Sequence, residues 1–163
     1  MRRLSSPTEP QAQAADRRTG TVTVEFALIA PVLLLVLMGI IEFGLLFQDL
    51  MLLKNAAREG ARLGAIGGST TAITSRVENA TQDLVTEDLT ITQQFAVEES
   101  GELTWQSLGD LPGDVNNAPT GALLKIEVTY PHSLMATGLL PQLEDEPDSG
   151  TISLTTAATY RRE

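Results

Sequence analysis

The stretch Gly20-Thr-Val-Thr-Val-Glu-Phe-Ala-Leu-Ile-Ala-Pro-Val-Leu-Leu-Leu-Val-Leu-Met-Gly-Ile-Ile-Glu-Phe-Gly-Leu-Leu-Phe47 decides how the rest of the chain is read. Between Phe26 and Phe47, 18 of 22 residues are apolar, the exceptions being Pro31, Gly39, Glu42 and Gly44. A helix of that length spans roughly 33 Å, enough to cross the hydrocarbon core of a bilayer. A core helix of a soluble protein would carry a polar stripe within such a length, and none is present. Pro31 removes one helical hydrogen bond and is expected to kink the helix, which neighbouring helices tolerate in a membrane.

Working outward, the chain divides into a basic leader over 1–20, a membrane-spanning and continuing helix over 21–68, and an extracytoplasmic head over 69–163. The leader holds Arg2, Arg3, Arg17 and Arg18 among Pro, Gln, Ser and Ala, a composition that cannot bury enough surface to fold. A secretory signal peptide would have a shorter apolar core followed by a small-x-small cleavage site. A twin-arginine signal would place an apolar pair, not Thr19-Gly20, after Arg17-Arg18. Four arginines precede the span, and Lys54, Arg58 and Arg62 follow it, a slight bias towards a cytoplasmic N-terminus.

Composition narrows the function. The net charge is −10, and residues 63–163 carry 15 acidic and 4 basic side chains. Such a head would repel phosphates, so nucleic acid is not its partner, and the acids serve solubility. With no cysteine, disulfides, thiolate metal sites and a cysteine nucleophile are excluded.

The residues around the span carry a resemblance. A basic leader ends in Gly20, four residues follow, then come Glu25-Phe26 and an apolar helix. This resembles the processing site of type IV prepilins and pseudopilins. Glu25-Phe-Ala-Leu-x-x-Pro31, Gly39-Ile-Ile-Glu-Phe-Gly44 and Ala56-Ala-Arg-Glu-Gly-Ala-Arg62 together resemble the TadE-like minor pseudopilins of tight-adherence (Flp) pilus systems. The likeness covers about 17–66. It implies cleavage between Gly20 and Thr21 by a membrane-embedded prepilin peptidase, leaving Glu25 as the fifth mature residue. It also implies that Glu25 neutralises the N-terminal amine of a neighbouring subunit.

The physical chemistry of these positions agrees with the resemblance. Glycine lets the backbone be drawn extended into a protease cleft. A carboxylate at the edge of an apolar phase is costly unless paired. In a helix, Glu25 lies about 6 Å along the axis from Thr21. Glu42, a second intramembrane acid, is expected near the outer interface, either paired with a cation of a partner helix or reaching the lipid headgroups.

The helix is expected to continue from Asp49 to Ile66. Lys54, Arg58 and Arg62 form a basic face suited to anionic headgroups, partner acids or water. Ala56, Gly60 and Gly64 form a small face, widened by Ala57, Ala61 and Ala65, that suggests close helix–helix packing. Gly67-Gly68 should end the helix.

In the head, Ile73, Val77, Ala80 and Leu84 predict an amphipathic helix over 69–88 capped by Ser69 or Thr70. Residues 89–108 predict a hairpin turning at Glu99-Ser-Gly101, and Pro112 to Pro119 a loop. Leu124, Ile126, Val128 and Tyr130 alternate with polar residues as a half-buried strand that Pro131 should stop. Residues 132–150 form a connector, and Ile152 to Tyr160 a final strand. The expected class is α+β: a long N-terminal transmembrane helix, then a small antiparallel sheet with a short covering helix.

Catalytic signatures are missing from the sequence. His132 is the only histidine. No G-x-S-x-G elbow, Walker loop, H-E-x-x-H or dinucleotide glycine pattern occurs. Glu144-Asp-Glu-Pro-Asp148 lacks EF-hand spacing, so no metal or cofactor is expected. The expected role is assembly of a tight-adherence pilus in the bacterial inner membrane. The expected partners are the prepilin peptidase, membrane lipid and other pilus subunits, the last through the N-terminal helix. The alternative is an uncleaved single-pass protein with an extracytoplasmic binding domain.

Overall fold

The structure, a computed structural model, describes residues 11–84, 88–99, 101–135 and 150–163, with side chains from Gly20 onward except that of Glu99. Helix α1, Gln11–Ala65, is a single element that runs through Pro31. Its start differs from expectation, because residues 11–20 of the leader are helical. Ala, Gln and Arg are good helix formers, and a long helix downstream removes the nucleation cost that an isolated leader would face. The first ten residues, the tip of the expected 99–101 turn, most of the expected connector and the Glu144–Asp148 run lie outside the described residues.

The chain forms two compact units, one ending at Ile41 and the other comprising Glu42–Glu163. The first holds the greater part of the apolar run. Val22, Leu28, Val32, Leu34 and Ile40 are all more than half exposed. Across α1 one stretch is long and apolar enough to cross a membrane, and none of it is buried.

The second unit is an antiparallel sheet with helices on one face. Helix α2, Thr70–Ala80, is followed by β1, Thr90–Glu99, and β2, Glu102–Ser107. A short pair, β3, Asp110–Leu111, and β4, Val115–Asn116, precedes β5, Leu123–Ser133, and β6, Thr151–Arg161. The main sheet has the order β2-β1-β5-β6 with every pairing antiparallel. Central β5 buries Leu124, Ile126 and Val128, while Lys125 and Glu127 point to the other face and form an ion pair at 3.6 Å. On that outer face the Lys125 ammonium also lies 4.8 Å from the Trp105 ring centroid.

The core sets Leu124, Ile126 and Val128 against Leu53, Ala56, Ala57 and Ala61 of α1, and Ile73 and Val77 of α2. The end of α1 is therefore part of the head, and α2 is not its sole cover. α1 stops where expected. The Gly68 N–H donates to the Leu63 carbonyl and the Gly67 N–H to the Gly64 carbonyl, with Gly67 at φ 100°, a Schellman stop that favours glycine. Ser69 then caps α2 by accepting from the Ala72 N–H.

Two boundaries differ from expectation. Helix α2 ends at Ala80, where the Thr81 hydroxyl returns to the Val77 and Glu78 carbonyls. Leu84 still packs against the core from a turn beyond the helix, which is why its spacing imitated another helical turn. Strand β5 passes through Pro131 to Ser133, with Pro131 opposite Ser153 of β6. Strand β1 reaches β5 only as far as Thr129, so beyond it β5 has an open side where a missing N–H breaks no ladder bond.

Candidate functional site

The continuation of β5 past Pro131 brings together groups far apart in sequence. Glu42 and Asp49 are seven residues apart on α1, two turns, and so share one face. Both meet His132. The imidazole Nδ1 lies 2.7 Å from an Asp49 carboxylate oxygen, and Nε2 lies 3.8 Å from Glu42 Oε1. The Met135 N–H donates to both Glu42 oxygens at 3.0 and 3.1 Å. Glu42 is 3% exposed and His132 is buried. Glu42 thus accepts a backbone N–H of its own chain, with the His132 ring beside it.

This cluster does not form a catalytic triad. Among the described residues, the buried Nε2 of His132 has no hydrogen-bond partner and faces a second carboxylate rather than a hydroxyl nucleophile. No group of three or more metal-ligating side chains is arranged to hold an ion among the described residues. The arrangement acts as a clasp that ties β5 to α1 through charge-assisted hydrogen bonds.

A second tie closes the upper end of α1. The buried Asn116 side chain donates to the Gly64 and Gly68 carbonyls, each at 2.8 Å, and an Arg162 guanidinium N–H donates to the Gly64 carbonyl. The Glu163 N–H donates to the Ala65 carbonyl. The Glu163 N–H satisfies a carbonyl that the last turn of a helix would otherwise leave open, and the bonds from Asn116 and Arg162 add donors to the Gly64 carbonyl beside the Gly67 N–H.

The small-residue stripe is occupied by the head itself. A Cβ at Gly60 would sit 2.7 Å from Val77 Cγ2, and one at Gly64 2.7 Å from Leu124 Cδ2. Ala56 is fully buried. This face lets α1 approach both α2 and the sheet closely. Lys54, Arg58 and Arg62 are exposed on α1.

The junction residues lie in the other unit. Gly20 is exposed within α1, with open space where a Cβ would be. Glu25 and Phe26 are exposed too, and Glu25 has no ion-pair partner among the described residues. Sequence reasoning missed Asp49 as a partner of His132, and Asn116 as a cap. The only signal for Asp49 was its seven-residue spacing from Glu42.

Comparison with known families bears on the junction. Residues 20–62 match the family model of TadE-like proteins. The matched segment starts at Gly20 and takes in Glu25, Phe26, Glu42, Asp49, Ala56 and Gly60. It ends before Gly64, α2 and the sheet, so His132 and Asn116 lie outside the TadE-like region. Neither curated proteins nor solved structures give a match.

Proposed function

We propose that this chain is a minor pseudopilin acting in assembly of a tight-adherence (Flp-type) pilus. Its role is structural rather than enzymatic. A prepilin peptidase cuts after Gly20, and the protein spans the bacterial inner membrane once, with the N-terminus cytoplasmic and the head outside. The observation that carries this reading is Gly20-x4-Glu25-Phe26 at the head of an exposed apolar helix, inside the segment that matches TadE-like proteins.

The chemistry follows from spacing. Cleavage gives Thr21 a free ammonium. Glu25 lies one turn further along, about 6 Å, in surroundings that favour paired charge. Exposed and without an ion-pair partner among the described residues, Glu25 is available to the amine of another subunit. Phe26 and the apolar residues after it offer lateral contacts with neighbouring helices or lipid. Glu25→Ala is expected to reduce surface pili at least tenfold while leaving the protein in the membrane. Counting pili by electron microscopy beside an immunoblot checks this, and wild-type piliation in the variant would contradict the docking role.

One observation favours the uncleaved alternative. Gly20 lies inside α1, so the junction must unwind before a protease can hold it extended. Glycine makes that local unwinding easier by about 1 kcal/mol relative to alanine.

A further inference from the structure

We infer that the base of the Glu42–Glu163 unit sits in the outer surface of the bilayer, through an apolar collar formed by Phe43, Leu45, Phe47 and Met135, with Lys54 above it at the level of the headgroup phosphates. This inference rests on the reading that α1 spans the membrane.

The collar is built from two elements. Phe43 and Phe47 lie one turn apart on α1, and Leu45 is about 200° round the helix from Phe43. Met135 comes from the chain just beyond β5 and is held at the level of Glu42 by its N–H bonds to that carboxylate. All four side chains are exposed, Met135 at 62% and Phe47 at 57%. The side of α1 between them is not open, because Glu42 is buried there beneath His132 and Met135.

Apolar side chains are thus exposed on opposite sides of α1 at one level of the molecule. A partner helix would need them on one side only. A bilayer surface surrounds what it holds, and so requires this arrangement. In sequence, Phe43, Leu45 and Phe47 follow directly on the apolar run.

Charge supports the same occupant. Continuing along the face of Phe43 and Phe47, the next residues are Met51, Lys54 and Arg58, so the face passes from apolar to basic away from the span. Lys54 lies about 10 Å along the axis from Phe47, and helical side chains lean towards the N-terminus, which returns its ammonium towards the collar. A lysine stem over apolar surface with its charge at the phosphates is the familiar snorkelling arrangement. A second copy in parallel contact along this face would oppose Lys54 to Lys54 and Arg58 to Arg58, a repulsive pairing.

The chain has no cysteine, so single cysteines can be spin-labelled in the full-length protein in phosphatidylcholine–phosphatidylglycerol vesicles. The sites are Val32→Cys in the span, Phe43→Cys and Met135→Cys in the collar, and Ser75→Cys on the exposed side of α2. Collision with oxygen, which partitions into lipid, is compared with collision with a water-soluble nickel chelate. The expected result is lipid exposure at Val32, aqueous exposure at Ser75, and intermediate depth at both collar sites. Collar labels as aqueous as Ser75, with Val32 in lipid, would overturn the collar and leave the span standing. Collar labels shielded from both reagents would mean protein covers them, and would also overturn it. A nickel-accessible Val32 would refute the span and the collar together.

Discussion

Gly60→Leu lowers the melting temperature of the detergent-solubilised protein by roughly 10 °C, whereas Gly44→Ala leaves it unchanged or raises it. The contrast follows from what each glycine faces. A Cβ at Gly60 already meets Val77 Cγ2 at 2.7 Å, with Ile126 and Ile73 side chains at 3.5 Å. Val77, Ile126 and Ile73 are fully buried, so none can swing into solvent. A leucine there must push α1 away from α2 and β5, an overpacking cost of about 3 kcal/mol. At Gly44 nothing lies within 4 Å of the Cβ position, so alanine meets no clash and gains up to about 1 kcal/mol of helix propensity. If the small stripe served only an external partner helix, Gly60→Leu would leave the isolated protein's melting temperature unchanged. Circular dichroism at 222 nm during heating checks both variants.

Glu42→Ala is expected to destabilise the head by about 2–3 kcal/mol and to open its lower end. Removing the carboxylate leaves the part-buried Met135 N–H without its acceptor, while His132 keeps Asp49, and an unpaired buried donor costs about 1–3 kcal/mol. Glu42→Gln keeps an acceptor for the Met135 N–H and should lose about 1 kcal/mol, the difference between a charged and a neutral bond. Hydrogen exchange at the Met135 amide should accelerate in Glu42→Ala well before the amides of Ile126 and Val128 do, because the clasp lies at one end of β5 and the core at its middle. Equal melting temperatures for wild type and Glu42→Ala would show that the cluster does not hold β5 to the helix.

What could be read in advance was set by short-range rules. The apolar run, the Gly67-Gly68 stop, the Ser69 cap, the 89–108 hairpin and the alternation of Leu124, Ile126 and Val128 each depend on a few adjacent residues. The α+β class followed from those elements, and the structure has it. The site was less legible because its parts are distant. Glu42 and Met135 are 93 residues apart, and Asn116 reaches carbonyls 48 and 52 residues away. Pro131 concealed the clasp, since a proline in a strand normally marks an end, and only the pairing register shows that one side of β5 is open there. The glycine stripe announced close approach without saying of what. An Ala/Gly face suits a membrane helix partner or a sheet packed alongside, and here it meets α2 and β5. Gly20 and Glu25 stand out by their spacing alone, and the proposed processing and docking roles rest on that spacing.

Processing after Gly20 is the claim on which the assembly role depends, and the N-terminus of the protein made alongside an active prepilin peptidase tests it most directly. Intact mass together with N-terminal sequencing should find a chain that begins at Thr21 and carries glutamate as its fifth residue. A chain that still begins at Met1, from cells in which the same peptidase cleaves a control prepilin, would contradict that claim and leave a single-pass anchored domain.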